Sequence, residues 1–150
     1  YFKLTKTEHE QSIDVSAYDA KIIKKGNGNA ALFINGHLLE QVTKLPEYDN
    51  HTIVYCPTVE PLSTEAENKI IDVLKNNKLS VVIEENSTSG AFADKVFDIS
   101  SEANVRTLIK KIGIPRKFCT EYGTAQEHRE KIGLTTDNIQ KIIQGALAHV

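Results

Sequence analysis

The run Ala30-Ala31-Leu32-Phe33-Ile34 constrains this chain more than any other feature. It is apolar throughout and bounded by Gly26-Asn27-Gly28-Asn29 on one side and Asn35-Gly36 on the other. A short apolar run without polar alternation reads as a strand covered on both faces. Leu79-Ser80-Val81-Val82-Ile83 reads the same way, and Ala20 to Lys25, His51 to Cys56 and Val105 to Lys110 are further strand candidates, the last ending at Gly113. Strands of this kind need helices on both sides of the sheet, and the intervening segments supply them. Leu38, Leu39 and Val42 share a helical face between Gly36 and Pro46. Ala66, Ile70 and Leu74 form a second stripe, and Phe92, Val96 and Ile99 a third. The C-terminal stripe is Ile139, Ile142, Ile143, Ala146 and Leu147, with Gln140, Lys141 and Gln144 opposite. Thr64 to Glu67 and Thr124 to Glu127 both fit the S/T-x-x-E capping box, and Gly133 stops the helix that the second one opens. The alternation predicts a three-layer α/β/α domain with a mostly parallel sheet. Local pattern alone would pair the first two strands as a hairpin across Gly26 to Asn29.

A chain of 150 residues is one domain on length, and a domain this size hides roughly 70% of its unfolded surface without staples. The net charge of -2 argues against a nucleic-acid surface or an anionic membrane. No apolar run approaches the roughly 20 residues of a membrane span. Two distant cysteines, Cys56 and Cys119, and no apolar leader point to the cytoplasm. The sequence contains no Met and begins at Tyr1, so a piece of a longer polypeptide is expected. Residues 1–18 are expected to link it to an upstream domain, and residues 19–150 to form the folded unit.

The chemistry on offer is thin. Gly26-Asn27-Gly28-Asn29-Ala30-Ala31 matches a dinucleotide fingerprint, but it leads into a strand, whereas the fingerprint needs a helix N-terminus for the pyrophosphate. An ordinary Gly/Asn turn is the better reading. His9, His37, His51, His128 and His149 have no metal-ligand spacing, and no nucleophile–base motif surrounds Cys119. Three places remain as ligand or interface candidates. His37 follows the end of a strand, where α/β proteins place ligands. Glu84 and Glu85 close another strand, although adjacent strand residues point to opposite faces and so make no catalytic pair. Ser89 and Gly90 open a helix whose N-terminus could accept an anion. The plainer alternative for the two glutamates is that they cap and solvate the sheet edge. No catalytic, cofactor-binding or metal-ligating residue is assigned.

Several segments, in order, resemble one family. These are Val54-Tyr55-Cys56-Pro57-Thr58-Val59-Glu60-Pro61-Leu62-Ser63, Val81-Val82-Ile83-Glu84-Glu85-Asn86 with Ser89-Gly90-Ala91-Phe92, Ile112-Gly113-Ile114-Pro115-Arg116-Lys117-Phe118, and Tyr122-Gly123-Thr124 followed by Lys131 to Ile139. Together they resemble the C-terminal domain of transketolase-like thiamine diphosphate enzymes, a group that includes transketolase, deoxyxylulose-phosphate synthase and 2-oxoacid dehydrogenase β-subunits. Cys56 to Glu60 departs from the Asp-x-Arg-x-x-Lys pattern of many relatives, so their charged surface is not carried over. The resemblance implies a five-stranded sheet in the order 1-3-2-4-5 with the first strand antiparallel. It also implies a parent enzyme that transfers ketol or acyl groups and uses thiamine diphosphate with Mg²⁺. Asn76-Asn77 lacks the Gly-Asp-Gly that precedes such a pair in the cofactor-binding domain, so this chain is expected to hold no cofactor and to be inactive alone. Its implied role is structural, in a homodimer with the upstream domains of its own polypeptide. Two rivals are a free-standing doubly wound module that binds a small anion at Ser87 to Gly90, and a domain that docks a partner such as a lipoyl carrier.

Overall fold

A computed structural model describes residues 13–117, 120 and 122–150. His9, Phe118 and Cys119, and most of the expected linker, lie outside the described residues. The elements are β1 (Lys21–Lys24), β2 (Ala30–Asn35), α1 (Leu39–Thr43), β3 (Thr52–Tyr55), α2 (Thr64–Lys75), β4 (Leu79–Ser87), α3 (Phe92–Glu102), β5 (Leu108–Ile114), α4 (Ala125–Ile132) and α5 (Thr136–Leu147). The sheet order is β1-β3-β2-β4-β5, with β1 antiparallel and all other pairs parallel. This is the order implied by the resemblance. It corrects the hairpin suggested by local pattern, because β3 inserts between β1 and β2.

The two apolar runs occupy the centre of the sheet, where each strand buries both faces. Leu32 and Ile34 of β2 and Val81 and Ile83 of β4 pack with Leu39 and Val42 of α1 and Ile139 and Ile143 of α5. Ala31, Phe33 and Val82 point the other way, onto Ile70 and Leu74 of α2 and Phe92 and Val96 of α3. Ile13 packs against the first of these layers.

Four local expectations shift. α2 is capped by Ser63, whose hydroxyl accepts from the Ala66 N–H at 3.0 Å, so Thr64 is its first helical residue and forms no box. The second capping box is present, with Thr124 and Glu127 bonded reciprocally and left-handed Gly133 ending α4. α1 is only five residues long, since Gly36 holds φ +82° and Leu38 is already the cap. β5 starts three residues later than predicted. Asn104 reverses the chain in the left-handed region, and Val105 is tied back to Ser100 through both its N–H and its carbonyl. Gln140, predicted to face solvent, is buried, because Thr136 one turn earlier bonds Gln41 and holds that face of α5 on α1.

His51 is 1% exposed, and neither ring nitrogen has a hydrogen-bond partner among the described residues. Burial lowers its pKa below the usual histidine value, against a smaller opposing pull from the Glu47 carboxylate. The unfolded chain therefore binds this proton more readily than the native state. The stability carried by neutral His51 is complete above about pH 6.5, the ordinary histidine value, and is lost as pH falls toward the folded-state value. Urea midpoints measured from pH 7.5 down to pH 5 are expected to fall in the parent and to fall less steeply in His51→Leu. Identical slopes would show that His51 binds its proton equally well in the folded and unfolded states.

Candidate functional site

Open α/β sheets bind ligands beyond the carboxyl ends of their strands, where the connections diverge, which directs attention to the ends of β2 and β4. These strands are adjacent and parallel, with Asn35 in register with Glu84. β2 runs on into α1 in one helical layer and β4 into α3 in the other, so the crevice between their ends is the topological switch point. The ligand or interface candidates His37, Glu84, Glu85, Ser89 and Gly90 lie at or just beyond these two strand ends.

What occupies the crevice is the protein itself. Glu84 is fully buried, and its carboxylate accepts from the Phe92 and Ala93 N–H groups at 3.0 and 2.9 Å. These are the first two residues of α3, so an internal anion already sits where the helix N-terminus would hold a ligand. The Gly90 N–H donates to the Asp94 carboxylate and the Ser89 N–H to Ser87 Oγ. Asp94 in turn pairs with Lys111 of β5. The Lys111 ammonium first, and the Gly90 N–H second, hold Asp94 below the usual carboxylate range. The Ser89 and Gly90 N–H groups are thus bonded within the protein.

Glu85 does the complementary job. It points to the opposite face, as strand alternation requires, and pairs with Arg129 of α4. The two adjacent glutamates thus clamp one helix on each side of the sheet. The expectation that they solvate an edge fails for Glu84, which meets no water. Nothing local in the sequence marks Arg129, which lies 44 residues from Glu85. Asp94 did carry a signal, as an acid in the first turn of a helix. α4 contributes no fully buried residue, and the Arg129 pair, together with half-buried Ile132 against the core, ties it to the sheet. Arg129→Ala is expected to cost about 1 kcal/mol globally, as for a partly exposed ion pair. Amide exchange in α4 should rise well before exchange elsewhere does; uniform protection across α4 and β4 would refute the tie.

Several other polar groups are bonded within the protein as well. The Asn35 amide donates to the Cys56 carbonyl at 2.7 Å, linking the ends of β2 and β3. His37, half-buried after Gly36, makes a contact of its own within the protein. Burial pushes the Cys56 thiol up to about 12, which leaves it a poor nucleophile. Asn76 and Asn77 each donate their side-chain amide to a carbonyl of the last turn of α2, at 2.7 and 2.8 Å. They serve as a helix cap, and among the described residues no group of three or more His, Cys, Asp or Glu is placed to hold a metal. No helix among the described residues is long and apolar enough to cross a membrane.

No family model matches the chain. Over 131 residues, 87% of its length, it is 32% identical to 1-deoxy-D-xylulose-5-phosphate synthase of Psychromonas ingrahamii, and over 127 residues it is 30% identical to the synthase of Cronobacter sakazakii. It spans about a fifth of the length of these relatives, in their C-terminal part. The chain is a transketolase-like C-terminal domain. Its fold agrees: a split gene transketolase, in an inactive beta4 tetramer, superposes with a TM-score of 0.77 over 91% of this chain and 44% of that one, at 20% identity. In this transketolase-like domain the switch-point crevice is closed by Glu84, and the strand ends are tied to one another and to the helices.

Proposed function

We propose that this domain is the structural C-terminal part of a thiamine diphosphate enzyme that transfers ketol or acyl groups, and that it has no turnover of its own. The observation that carries this reading is Glu84, whose carboxylate fills the switch-point crevice between the ends of β2 and β4. With that crevice closed and Asn76 and Asn77 spent on a helix end, the work left to the domain is mechanical. It presents a rigid body against the domains that grip the cofactor, because a cofactor's chemistry depends on the protein that positions it. Upstream domains of the same polypeptide would hold thiamine diphosphate and Mg²⁺, and the assembled enzyme would be a homodimer in the cytoplasm. The short span of the chain relative to its synthase relatives supports this arrangement. The reading frame upstream of Tyr1 tests it. A pyrimidine-binding domain encoded in frame is the expected finding, and a start codon just before Tyr1 would contradict it.

A further inference from the structure

The stretch from Val105 to Lys117 carries Arg106, Lys110, Lys111, Arg116 and Lys117 and no acid, in a chain whose net charge is -2. It is built around β5, which has β4 on one side and no strand partner on the other among the described residues. The two edges of the sheet use their cations differently. On β1, Lys21 donates to the Asp14 carbonyl at 2.6 Å, and Lys24 pairs with Asp49 at 2.6 Å and lies over the Tyr48 ring. On β5 Lys111 alone is engaged among the described residues, by Asp94. Arg106, Lys110, Arg116 and Lys117 are exposed and form no ion pair among the described residues.

Lysine on an edge strand ordinarily guards it against pairing. Here the guard is selective. Two copies of β5 side by side would set like charges against one another, which destabilises a ladder. An acidic strand meets the opposite situation, with a cation before β5, one at its middle and two after it. We propose that the edge of β5 away from β4 is a docking site for an extended acidic segment of a partner protein, added to the sheet as a further strand. Main-chain hydrogen bonds would supply the ladder, and Arg106, Lys110, Arg116 and Lys117 the selection for acids.

The test uses the whole 150-residue chain and a fluorescein-labelled peptide of alternating Glu and Val, matched in length to β5. Fluorescence anisotropy should show saturable binding. Arg106→Glu with Lys110→Glu should weaken it by about tenfold or more, while Lys44→Glu with Lys141→Glu, the same charge change elsewhere, should leave it within about twofold. The same peptide with alternate amides N-methylated keeps its charge but cannot form a ladder, and should not bind. Absence of saturable binding, equal binding of the methylated peptide, or equal weakening by both double variants would overturn the proposal.

Discussion

Replacing Glu84 by Ala is expected to destabilise the domain by about 3 kcal/mol, which at a urea m-value of about 2 kcal/mol/M lowers the midpoint by about 1.5 M. Phe92 is fully buried and Ala93 1% exposed, so their N–H groups cannot turn to water once the carboxylate is gone. Each unsatisfied buried donor costs about 1–3 kcal/mol, and a lost helix cap falls within the same range. Relief from burying a carboxylate works the other way. It is the smaller effect here, because two N–H bonds and the helix dipole already compensate the charge. Glu84→Gln retains a carbonyl acceptor and is expected to lose about half as much. A Glu84→Ala midpoint close to the parent's would show that α3 does not need its internal anion.

Gly26→Ala is expected to cost about 3 kcal/mol, at the upper end for overpacking. A Cβ at this position would strike the Asn50 carbonyl oxygen and the His51 carbonyl carbon, and would approach the Thr52 nitrogen to 2.7 Å. All three are backbone atoms, so no rotamer change relieves the clash. The turn is laid directly over the entry to β3, with the Gly26 N–H on Thr52 Oγ1 and the Asn27 N–H on the Asn50 carbonyl, both at 3.1 Å. Gly145 in α5 provides the contrast, since a Cβ there meets nothing within 4 Å. Gly145→Ala should therefore stabilise by about 0.5–1 kcal/mol through helix propensity. Thermal melts of the two variants should move in opposite directions; a Gly26→Ala melt matching the parent would rule out the close approach.

These two residues also show what was legible in the sequence. Both faces of β2 and β4 could be read from their apolar runs, because burial on both sides leaves a composition that few other environments tolerate. The turn at Gly26 could be read as a turn, but its reason could not, since the atoms that forbid a Cβ come from the entry to β3, 24 or more residues away. The same distance hid the insertion of β3 between β1 and β2, which only the family resemblance supplied. Glu84 was visible as an acid at a strand end. Its use was not, because a carboxylate that binds a ligand's neighbourhood and one that caps the next helix have the same local sequence. The start of β5 was misplaced because the bond between Val105 and Ser100 competes with strand pairing, a contest that propensity does not register.

The proposed function places the grip on thiamine diphosphate in domains other than this one. Calorimetric titration of the 150-residue chain with thiamine diphosphate and Mg²⁺, followed by incubation with ketose donors and aldehyde acceptors, tests it most directly. The expected result is no saturable heat and no product. Stoichiometric cofactor binding accompanied by turnover would contradict it.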